Sequence, residues 1–267
     1  MGERWLKHLK RFEGMIAPLG QALLERAGFS EGERVIDVGC GAGATTLEIG
    51  RRVGARGRVL GLDVSPMLIE AARQRTAAAG VPQVSFRCGD AAAAELEGPP
   101  FARLFSRFGL MFFPEPWGAF AHLHTFLARG GRADFSVWGP PRENEWLAKL
   151  MGVVREHVEL PDAEPRTPGP FALEDPDYIR ELLTRGGFRD IHIDRWHGTQ
   201  LVGGPGTTPE EATDFLFDAM SFGRLFESCA PELRARIREG LIGVFAAHRD
   251  GNSIGMKATA WLVRATA

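Results

Sequence analysis

A glycine-rich turn between an apolar run and a helical pattern constrains the fold of this chain most strongly. Residues 34–38 read Arg-Val-Ile-Asp-Val, which is typical of a short buried parallel strand. Gly39, Gly41 and Gly43 follow and allow the backbone to turn sharply and to approach a ligand closely. A helical pattern begins at Thr45, so the free N–H groups of its first turn point toward the same place. Strand, glycine turn and helix in this order form half of a nucleotide-binding βαβ unit.

The second half of this unit follows at the expected distance. Residues 58–64 read Arg-Val-Leu-Gly-Leu-Asp-Val and predict a strand with an acid near its end. Asp63 lies about 20 residues after the glycine turn, where a carboxylate can accept hydrogen bonds from the ribose of an adenosine. Asp37 lies just before the turn, where it would repel a pyrophosphate but could help hold an ammonium group. This combination favours S-adenosylmethionine (SAM), a sulfonium with an amino-acid tail, over a dinucleotide.

Three motifs in the sequence resemble those of a known family. Asp-Val-Gly-Cys-Gly-Ala-Gly at 37–43 resembles the first motif of class I SAM-dependent methyltransferases, and Gly-Leu-Asp-Val-Ser at 61–65 is similar to their second strand. The resemblance continues through Arg-Cys-Gly-Asp-Ala at 87–91, where the family binds the adenine amino group with an acid. It covers roughly residues 30–140 and the final strand. Within the family, the chain is most similar to the ubiquinone/menaquinone C-methyltransferase-like branch, whose members methylate O, N or C atoms.

The resemblance implies a cofactor site for SAM at the ends of the first four strands. Asp63 would bind the ribose, the 39–43 loop the methionine portion, and Asp90 the adenine amine. The complete predicted set comprises Asp37, Gly39, Cys40, Gly41, Ala42, Gly43, Thr45, Asp63, Val64, Met67, Gly89, Asp90, Ala91, Ser106 and Arg107.

The rest of the pattern predicts an α/β fold with a doubly wound, mostly parallel sheet. The family implies seven strands with the last one antiparallel. Gly14 is predicted to separate two N-terminal helices, and Gly130-Gly131 to cap a helix over 114–128. The predicted organisation is N-terminal lid helices over 1–29, a SAM-binding core over 30–140, a cap insertion over 141–170, core again over 171–198, a helical cap insertion over 199–250 and the final core strand over 251–267.

The acceptor of the methyl group is less constrained by the sequence than the cofactor. Methyl transfer requires an electron-rich atom held behind the methyl group, and a base only if the acceptor is a weak acid. His8 and His197 are the candidate bases, and no other catalytic residue is predicted. Aromatic residues in the cap segments indicate a small apolar or aromatic acceptor. The predicted acceptor-binding residues are Trp5, Phe108, Met111 and Trp146.

The composition of the chain bears on whether it binds nucleic acid, a membrane or a metal. A net charge of −2 provides no general attraction to nucleic acid, and no apolar run approaches the length of a membrane span. Three scattered cysteines do not form a disulfide framework, and neither a His-Glu-x-x-His motif nor a cysteine pair suggests a metal. We therefore expect a cytoplasmic protein that acts on a small molecule without nucleic acid or metal. The sequence is compatible with a homodimer.

Two other functions remain compatible with the same motifs. A nicotinamide-dependent oxidoreductase would use the same βαβ unit, although Asp37 argues against a pyrophosphate site. A non-catalytic SAM-binding protein with a regulatory or assembly role would share the whole cofactor site. An intact apolar cap favours catalysis over this second alternative.

Overall fold

The computed structural model describes residues 6–159, 164–219 and 230–267. Its helices are α1 (Leu9–Ala27), α2 (Ala44–Val53), α3 (Pro66–Ala79), α4 (Pro116–Thr125), α5 (Glu145–Arg155), α6 (Pro176–Arg185), α7 (Pro209–Ala219) and α8 (Pro231–Ala247). Its strands are β1 (Arg34–Val38), β2 (Arg58–Asp63), β3 (Val84–Cys88), β4 (Phe101–Arg107), β5 (Leu127–Trp138), β6 (Arg189–Leu201), β7 (Arg249–Asp250) and β8 (Ser253–Thr266).

The strands pair in the order β3-β2-β1-β4-β5-β8-β6, with the two-residue strand β7 paired to β8. Strands β1 to β5 pair with one another in parallel, and β8 runs antiparallel to β5. Val35 and Ile36 of β1 and Phe105 of β4 are fully buried, as expected for central strands that are covered by helices on both faces. The predicted doubly wound α/β fold is therefore confirmed.

The described residues divide into two compact units. We call Gly20–Pro140, Pro165–Trp196 and Ala260–Ala267 the sheet unit, and Met1–Leu19, Pro141–Glu164 and His197–Thr259 the helical unit. In the helical unit, Thr208 and Glu211 form a capping box at the start of α7, because each side chain accepts a hydrogen bond from the other's backbone N–H. The predicted core and cap bounds stay a prediction.

Two predicted helix boundaries are wrong. Helix α1 continues through Gly14, where a Cβ atom would lie 2.7 Å from Pro205 Cδ. A glycine weakens a helix by only about 1 kcal/mol, so close packing can retain it there. Gly130 and Gly131 belong to β5 instead of capping α4. The N–H of Gly130 donates to the carbonyl of Ala267, and the carbonyl of Gly131 accepts from the N–H of Ala267.

Candidate functional site

The strand order brings the carboxyl ends of β3, β2, β1 and β4 side by side in the sheet unit. Strand β1 pairs with β2 on one side and with β4 on the other, so the direction in which the chain winds along the sheet changes between β1 and β4. Ligands of open α/β sheets bind at the carboxyl ends of the strands beside such a point. The glycine turn after β1 lies there.

The turn after β1 needs its glycines for two physical reasons. Gly39, Gly41 and Gly43 have φ angles of 69°, 55° and 78°, in the left-handed region that side chains disfavour. A Cβ on Gly39 would also lie 2.7 Å from Gly109 Cα, which follows β4. One on Gly43 would lie 2.9 Å from the Phe86 ring. The loop therefore combines strained angles with close backbone packing.

Asp63 connects the glycine turn to the ends of β2 and β3. Its Oδ2 accepts a hydrogen bond of 2.9 Å from Gly41 N–H, and its Oδ1 accepts one of 2.9 Å from Ser65 N–H. Its backbone carbonyl accepts a further bond of 3.0 Å from Gly89 N–H. The carboxylate is half-buried, and each oxygen has lone pairs left for other donors. It is thus fixed beside the turn, and its role as a ribose ligand stays a prediction.

Asp37 is fully buried at the end of β1. Its Oδ2 accepts hydrogen bonds from Thr45 Oγ1 at 2.9 Å and from Thr46 Oγ1 at 2.7 Å. Its Oδ1 is buried and has no hydrogen-bond partner among the described residues. Burial raises the pKa of Asp37 to about 6, against the lowering effect of the two threonines and of the nearby Arg107 cation. The site therefore contains a buried acceptor that a bound cation could satisfy.

Apolar side chains are exposed at the end of β2. Val64 is 68% exposed and Met67 is 44% exposed. Across from them, at the end of β3, Asp90 is exposed and its Oδ1 accepts a hydrogen bond of 2.9 Å from Ala92 N–H, while Ala91 is buried. This edge of the sheet thus offers an apolar surface beside a carboxylate.

Most of the remaining predicted cofactor residues are buried or packed against neighbouring residues. The buried Ser106 donates a hydrogen bond of 2.7 Å to the carbonyl of Val38 and so joins β4 to β1. Cys40 is buried against Gly61, and burial raises the pKa of its thiol well above the ordinary value. Ala42 is also buried. Arg107 packs on Gly20 of α1, where a Cβ would lie 2.9 Å from its Nη1.

The predicted acceptor-binding residues lie in different parts of the structure. Phe108 follows β4 with a φ of 61° and stacks on Trp138, with ring centroids 4.2 Å apart. Met111 is buried in the sheet unit, and Trp146 is buried in the helical unit. Trp5 lies outside the described residues. The role of these four residues stays a prediction.

Both candidate bases have a hydrogen-bond partner in the helical unit. His8 Nε2 lies 2.8 Å from Asp218 Oδ2, and Lys7 contacts the same carboxylate. His197 Nδ1 lies 3.1 Å from Thr259 Oγ1. Each imidazole is therefore oriented by a second side chain, which the sequence did not predict.

Three residues of the site were missed in the sequence prediction. Thr46 binds Asp37 as Thr45 does, and a hydroxyl in the first turn after the glycines was the available signal. Gly109 crosses Gly39 at the end of β4, and the Phe-Gly pair after a predicted strand hinted at this turn. Trp138 stacks on Phe108, for which the sequence carries no signal.

Two other kinds of feature are absent from the part of the chain that the structure describes. No group of three or more His, Cys, Asp or Glu side chains is arranged there to hold a metal ion. Among the same residues, no helix combines the length and the apolar character needed to cross a bilayer.

Comparisons with known proteins agree with this geometry. Residues 35–131 match the methyltransferase domain family. The aklanonic acid methyltransferase of Streptomyces sp. (strain C5) is 33% identical over 119 residues, which cover 45% of this chain and 54% of that protein. The trans-aconitate 2-methyltransferase of Variovorax paradoxus is 28% identical over 195 residues, which cover 70% of this chain and 69% of that protein.

Solved structures show the same fold. The YcgJ protein of Bacillus subtilis superimposes with a TM-score of 0.59 at 16% identity, covering 92% of this chain and 97% of that one. A phosphoethanolamine N-methyltransferase of Haemonchus contortus, in complex with S-adenosylhomocysteine, has a TM-score of 0.55 at 17% identity and covers 93% of this chain and 52% of that one.

The curated relatives are matched over part of their length. The matched segments span about half of the aklanonic acid enzyme and about two thirds of the trans-aconitate enzyme. The motif series that resembles class I methyltransferases lies within the matched region. Residues 35–131 of this chain are therefore similar to the methyltransferase domain family.

Proposed function

We propose that this protein is a SAM-dependent methyltransferase that transfers a methyl group to an O, N or C atom of a small, apolar or aromatic molecule. The observation that carries the proposal is the arrangement around the glycine turn. Asp63 is fixed beside Gly41, and the buried Oδ1 of Asp37 has no partner among the residues described. A dinucleotide would place phosphates near this buried carboxylate, whereas SAM carries an ammonium and a sulfonium.

The residues present fit SAM. Asp63 would accept hydrogen bonds from the ribose hydroxyls, and Asp37 would attract the ammonium of the methionine portion. Val64 and Met67 would contact the adenine ring, which would cover their exposed apolar surface. Asp90 would accept a hydrogen bond from the adenine amine. SAM supplies an electrophilic methyl group, and the protein's part is to bind it, to orient the acceptor and to exclude water.

The acceptor is proposed from the aromatic residues that follow the strands beside the glycine turn. Phe108 and Trp138 form a stacked aromatic pair at the ends of β4 and β5, and Phe112 is exposed nearby in sequence. Aromatic walls suit an apolar or aromatic small molecule. The named relatives include an aklanonic acid and a trans-aconitate methyltransferase, so their acceptors differ from one another. Membership of the ubiquinone/menaquinone C-methyltransferase-like branch, a homodimeric state and a cytoplasmic location stay predictions.

Calorimetry with SAM and with NAD tests the cofactor. We expect SAM to bind and NAD not to bind. Asp63→Ala should weaken SAM binding by about tenfold to a hundredfold, because hydrogen bonds to a charged group contribute about 1.5–3 kcal/mol. Asp194→Ala is the matched control, since this exposed carboxylate of the same unit pairs with Arg26 away from the glycine turn. Binding of NAD without SAM would contradict the proposal.

A turnover assay separates catalysis from a purely SAM-binding role. Formation of S-adenosylhomocysteine is measured with a panel of phenols, amines and carboxylic acids, with and without each acceptor. Acceptor-dependent turnover supports an enzyme. SAM binding with no turnover above the acceptor-free rate across the panel would instead favour the non-catalytic alternative.

A further inference from the structure

A groove lies in the sheet unit between α3 and the first half of β3. Its volume is about 710 Å³, which is within the range of small-molecule sites. The lining residues that matter here are Arg73, Thr76, Val81, Pro82, Val84 and Phe86. The glycine turn and Asp90 follow the carboxyl ends of strands, whereas the groove begins at the amino end of β3. It is therefore distinct from the site around the glycine turn.

The hydroxyl of Thr76 is a buried polar group in this groove. Thr76 is only 8% exposed, and its Oγ1 has no hydrogen-bond partner among the described residues. A threonine inside a helix can return its hydroxyl to the carbonyl one turn earlier, but this one does not. An unpaired buried hydroxyl destabilises a fold, so its presence in the lining of a groove indicates a polar ligand.

A cation lies beside this hydroxyl on the same face of the helix. Arg73 precedes Thr76 by three residues of α3, which makes the two side chains neighbours. Arg73 Nη2 donates a hydrogen bond of 3.2 Å to the carbonyl of Phe86, and Nη1 lies 3.9 Å from a carboxylate oxygen of Glu70. A guanidinium group has five N–H donors, so others are left for a ligand. A carboxylate has two oxygens and can accept hydrogen bonds from Thr76 and Arg73 together.

The opposite wall of the groove is apolar and rigid. Val84 is buried, and Phe86 points to the same side of β3 because side chains alternate along a strand. The Phe86 ring is packed closely from behind. A Cβ on Gly61 would lie 2.6 Å from its Cδ1, and one on Gly43 would lie 2.9 Å from its Cζ. Such a wall suits an apolar body, and a flat aromatic ring in particular.

The free edge of β3 is less suited to binding another strand. Strand β3 ends the sheet, and an edge strand can pair with a second chain. Here the Phe86 carbonyl already accepts from Arg73, and Arg87 donates to the carbonyl of Glu95. Charged side chains on an edge strand protect it against such pairing. These contacts favour a small molecule as the occupant of the groove.

We propose that the groove between α3 and β3 is a second small-molecule site that binds an aromatic monocarboxylate. The carboxylate accepts hydrogen bonds from Thr76 and Arg73, and the ring lies against Val84 and Phe86. The ligand is bound without chemical change. The inference goes beyond the proposed function and does not depend on it, because the groove contains none of the residues proposed to bind SAM or the methyl acceptor.

Titrations of the full chain with benzoate and phenylacetate test the site, with benzamide, acetate and inorganic phosphate as comparison ligands. The two aromatic acids should bind about tenfold tighter than benzamide, which lacks the charge, and than acetate and phosphate, which lack the ring. Saturating S-adenosylhomocysteine should leave benzoate binding unchanged. Competition between the two would place benzoate at the cofactor or acceptor site and would contradict the proposal.

Variants on α3 test the two polar contacts. Thr76→Val removes the hydroxyl at nearly constant volume and should weaken benzoate binding about tenfold, whereas Thr76→Ser should retain it. The midpoint of urea unfolding should not fall in Thr76→Val, because the free protein loses no hydrogen bond. Arg73→Gln should weaken binding about threefold to fivefold, since this cation is solvent-exposed.

Arg51→Gln is the matched control for the arginine variant. Arg51 is as exposed as Arg73 and also pairs with an acid three residues earlier, Glu48, but it lies on α2 outside the groove. Its replacement should change benzoate binding by less than about twofold, because solvent screens distant exposed charges.

Methyl NMR locates the ligand independently of its affinity. Benzoate should shift the methyl signals of Val81 and Val84 and leave those of Val35, in the core of the sheet, unchanged. The inference is overturned if neither acid binds at millimolar concentration, or if Thr76→Val and Arg73→Gln both bind benzoate as the wild type does. Shifts of Val81 and Val84 that follow protein concentration without any ligand would show a second copy of the chain on this edge and overturn it as well. Failure of SAM to bind would remove the proposed function and leave this inference standing.

Discussion

A buried carboxylate with one unsatisfied oxygen is the most informative single residue of this protein. The two threonines that follow the glycine turn bind Asp37 Oδ2, whereas Oδ1 has no partner among the described residues. Burying an acceptor without a partner costs roughly 1–3 kcal/mol, so such a group commonly has a functional reason. Here the reason we propose is attraction of a bound cation.

The raised pKa of Asp37 predicts a specific pH dependence of stability. The pKa rises from 3.8 to about 6 on folding, so the stabilisation from the protonated form is complete below pH 3.8 and is lost as the pH rises through 6. Asp37→Asn cannot ionise. Its free energy of unfolding relative to the wild type should therefore increase by about 2 kcal/mol between pH 4 and pH 7.5. Urea unfolding at several pH values measures this, and a pH-independent difference would contradict it.

The same carboxylate should make SAM binding depend on pH in the opposite sense. A cationic ligand favours ionised Asp37, whose population rises about tenfold from pH 5 to pH 7 if its pKa is about 6. We expect the dissociation constant of SAM to fall about tenfold over this range, and to stay nearly constant in Asp37→Asn. Calorimetry in buffers of different ionisation enthalpy measures the accompanying proton release. Equal pH dependence in both proteins would rule out this role for Asp37.

Because the glycine turn is closely packed, adding a single methyl group there should lower the free energy of unfolding strongly. In Gly39→Ala, the left-handed φ angle and the contact with the backbone of Gly109 should together cost about 3 kcal/mol or more. Gly80→Ala is the control, because Gly80 has a similar φ of 64° but no atom within 4 Å of the place where a Cβ would lie. It should cost only about 1–2 kcal/mol, as measured by urea unfolding. Equal losses would show that packing is unimportant.

At this scale the sequence located the glycine turn and Asp63 but did not predict their local geometry. Asp63 and the glycines were identifiable because spacing along a βαβ unit is fixed by the fold. The unpaired oxygen of Asp37 was not, because it depends on which of its neighbours reach it. The left-handed conformation of Phe108 was equally hidden, since phenylalanine has no preference for that region.

At the scale of elements, an arginine cluster fixes the end of α1 to the sheet. The buried carboxylate of Asp134 accepts hydrogen bonds from Arg103, Arg132 and Arg264, at 2.8, 2.9 and 2.9 Å. The same three guanidinium groups donate to carbonyls of the last turn of α1, where the helix dipole favours positive charge. Burial lowers the pKa of Arg103, although Asp134 opposes this change.

Removing the carboxylate of Asp134 should therefore lower the stability of the fold strongly. Asp134→Asn leaves three cations without their shared counter-charge, and breaking a buried pair in this way costs about 3–5 kcal/mol. Asp194→Asn is the matched control, because Asp194 pairs with Arg26 at the surface and should contribute about 0–1 kcal/mol. The midpoint of urea unfolding at pH 7 measures both. Similar small losses would mean that the cluster does not hold α1.

Elements with a clear period were predicted well, and their ends less well. The strands around the cofactor loop and the helix after Thr208 lie where their patterns indicated. The helix boundaries predicted at Gly14 and Gly130 were wrong because glycine indicates a helix end when only its neighbours in sequence are known. Their actual partners, Pro205 and Ala267, are far away along the chain.

At the scale of the whole molecule, the fold is shared with proteins of very low identity, so it says little about the acceptor. The YcgJ protein superimposes over nearly its whole length at 16% identity. A fold used this widely hosts different chemistries through changes at the site. The acceptor must therefore be found by experiment on this chain.

The central claim is that the ends of β1, β2 and β3 bind an adenosyl group, and a crystal structure with S-adenosylhomocysteine tests it most directly. We expect ribose hydroxyls within hydrogen-bonding distance of Asp63, the adenine ring against Val64 and Met67, and the ammonium near Asp37. Density for the ligand at another place, or Asp63 without contact to it, would contradict this claim.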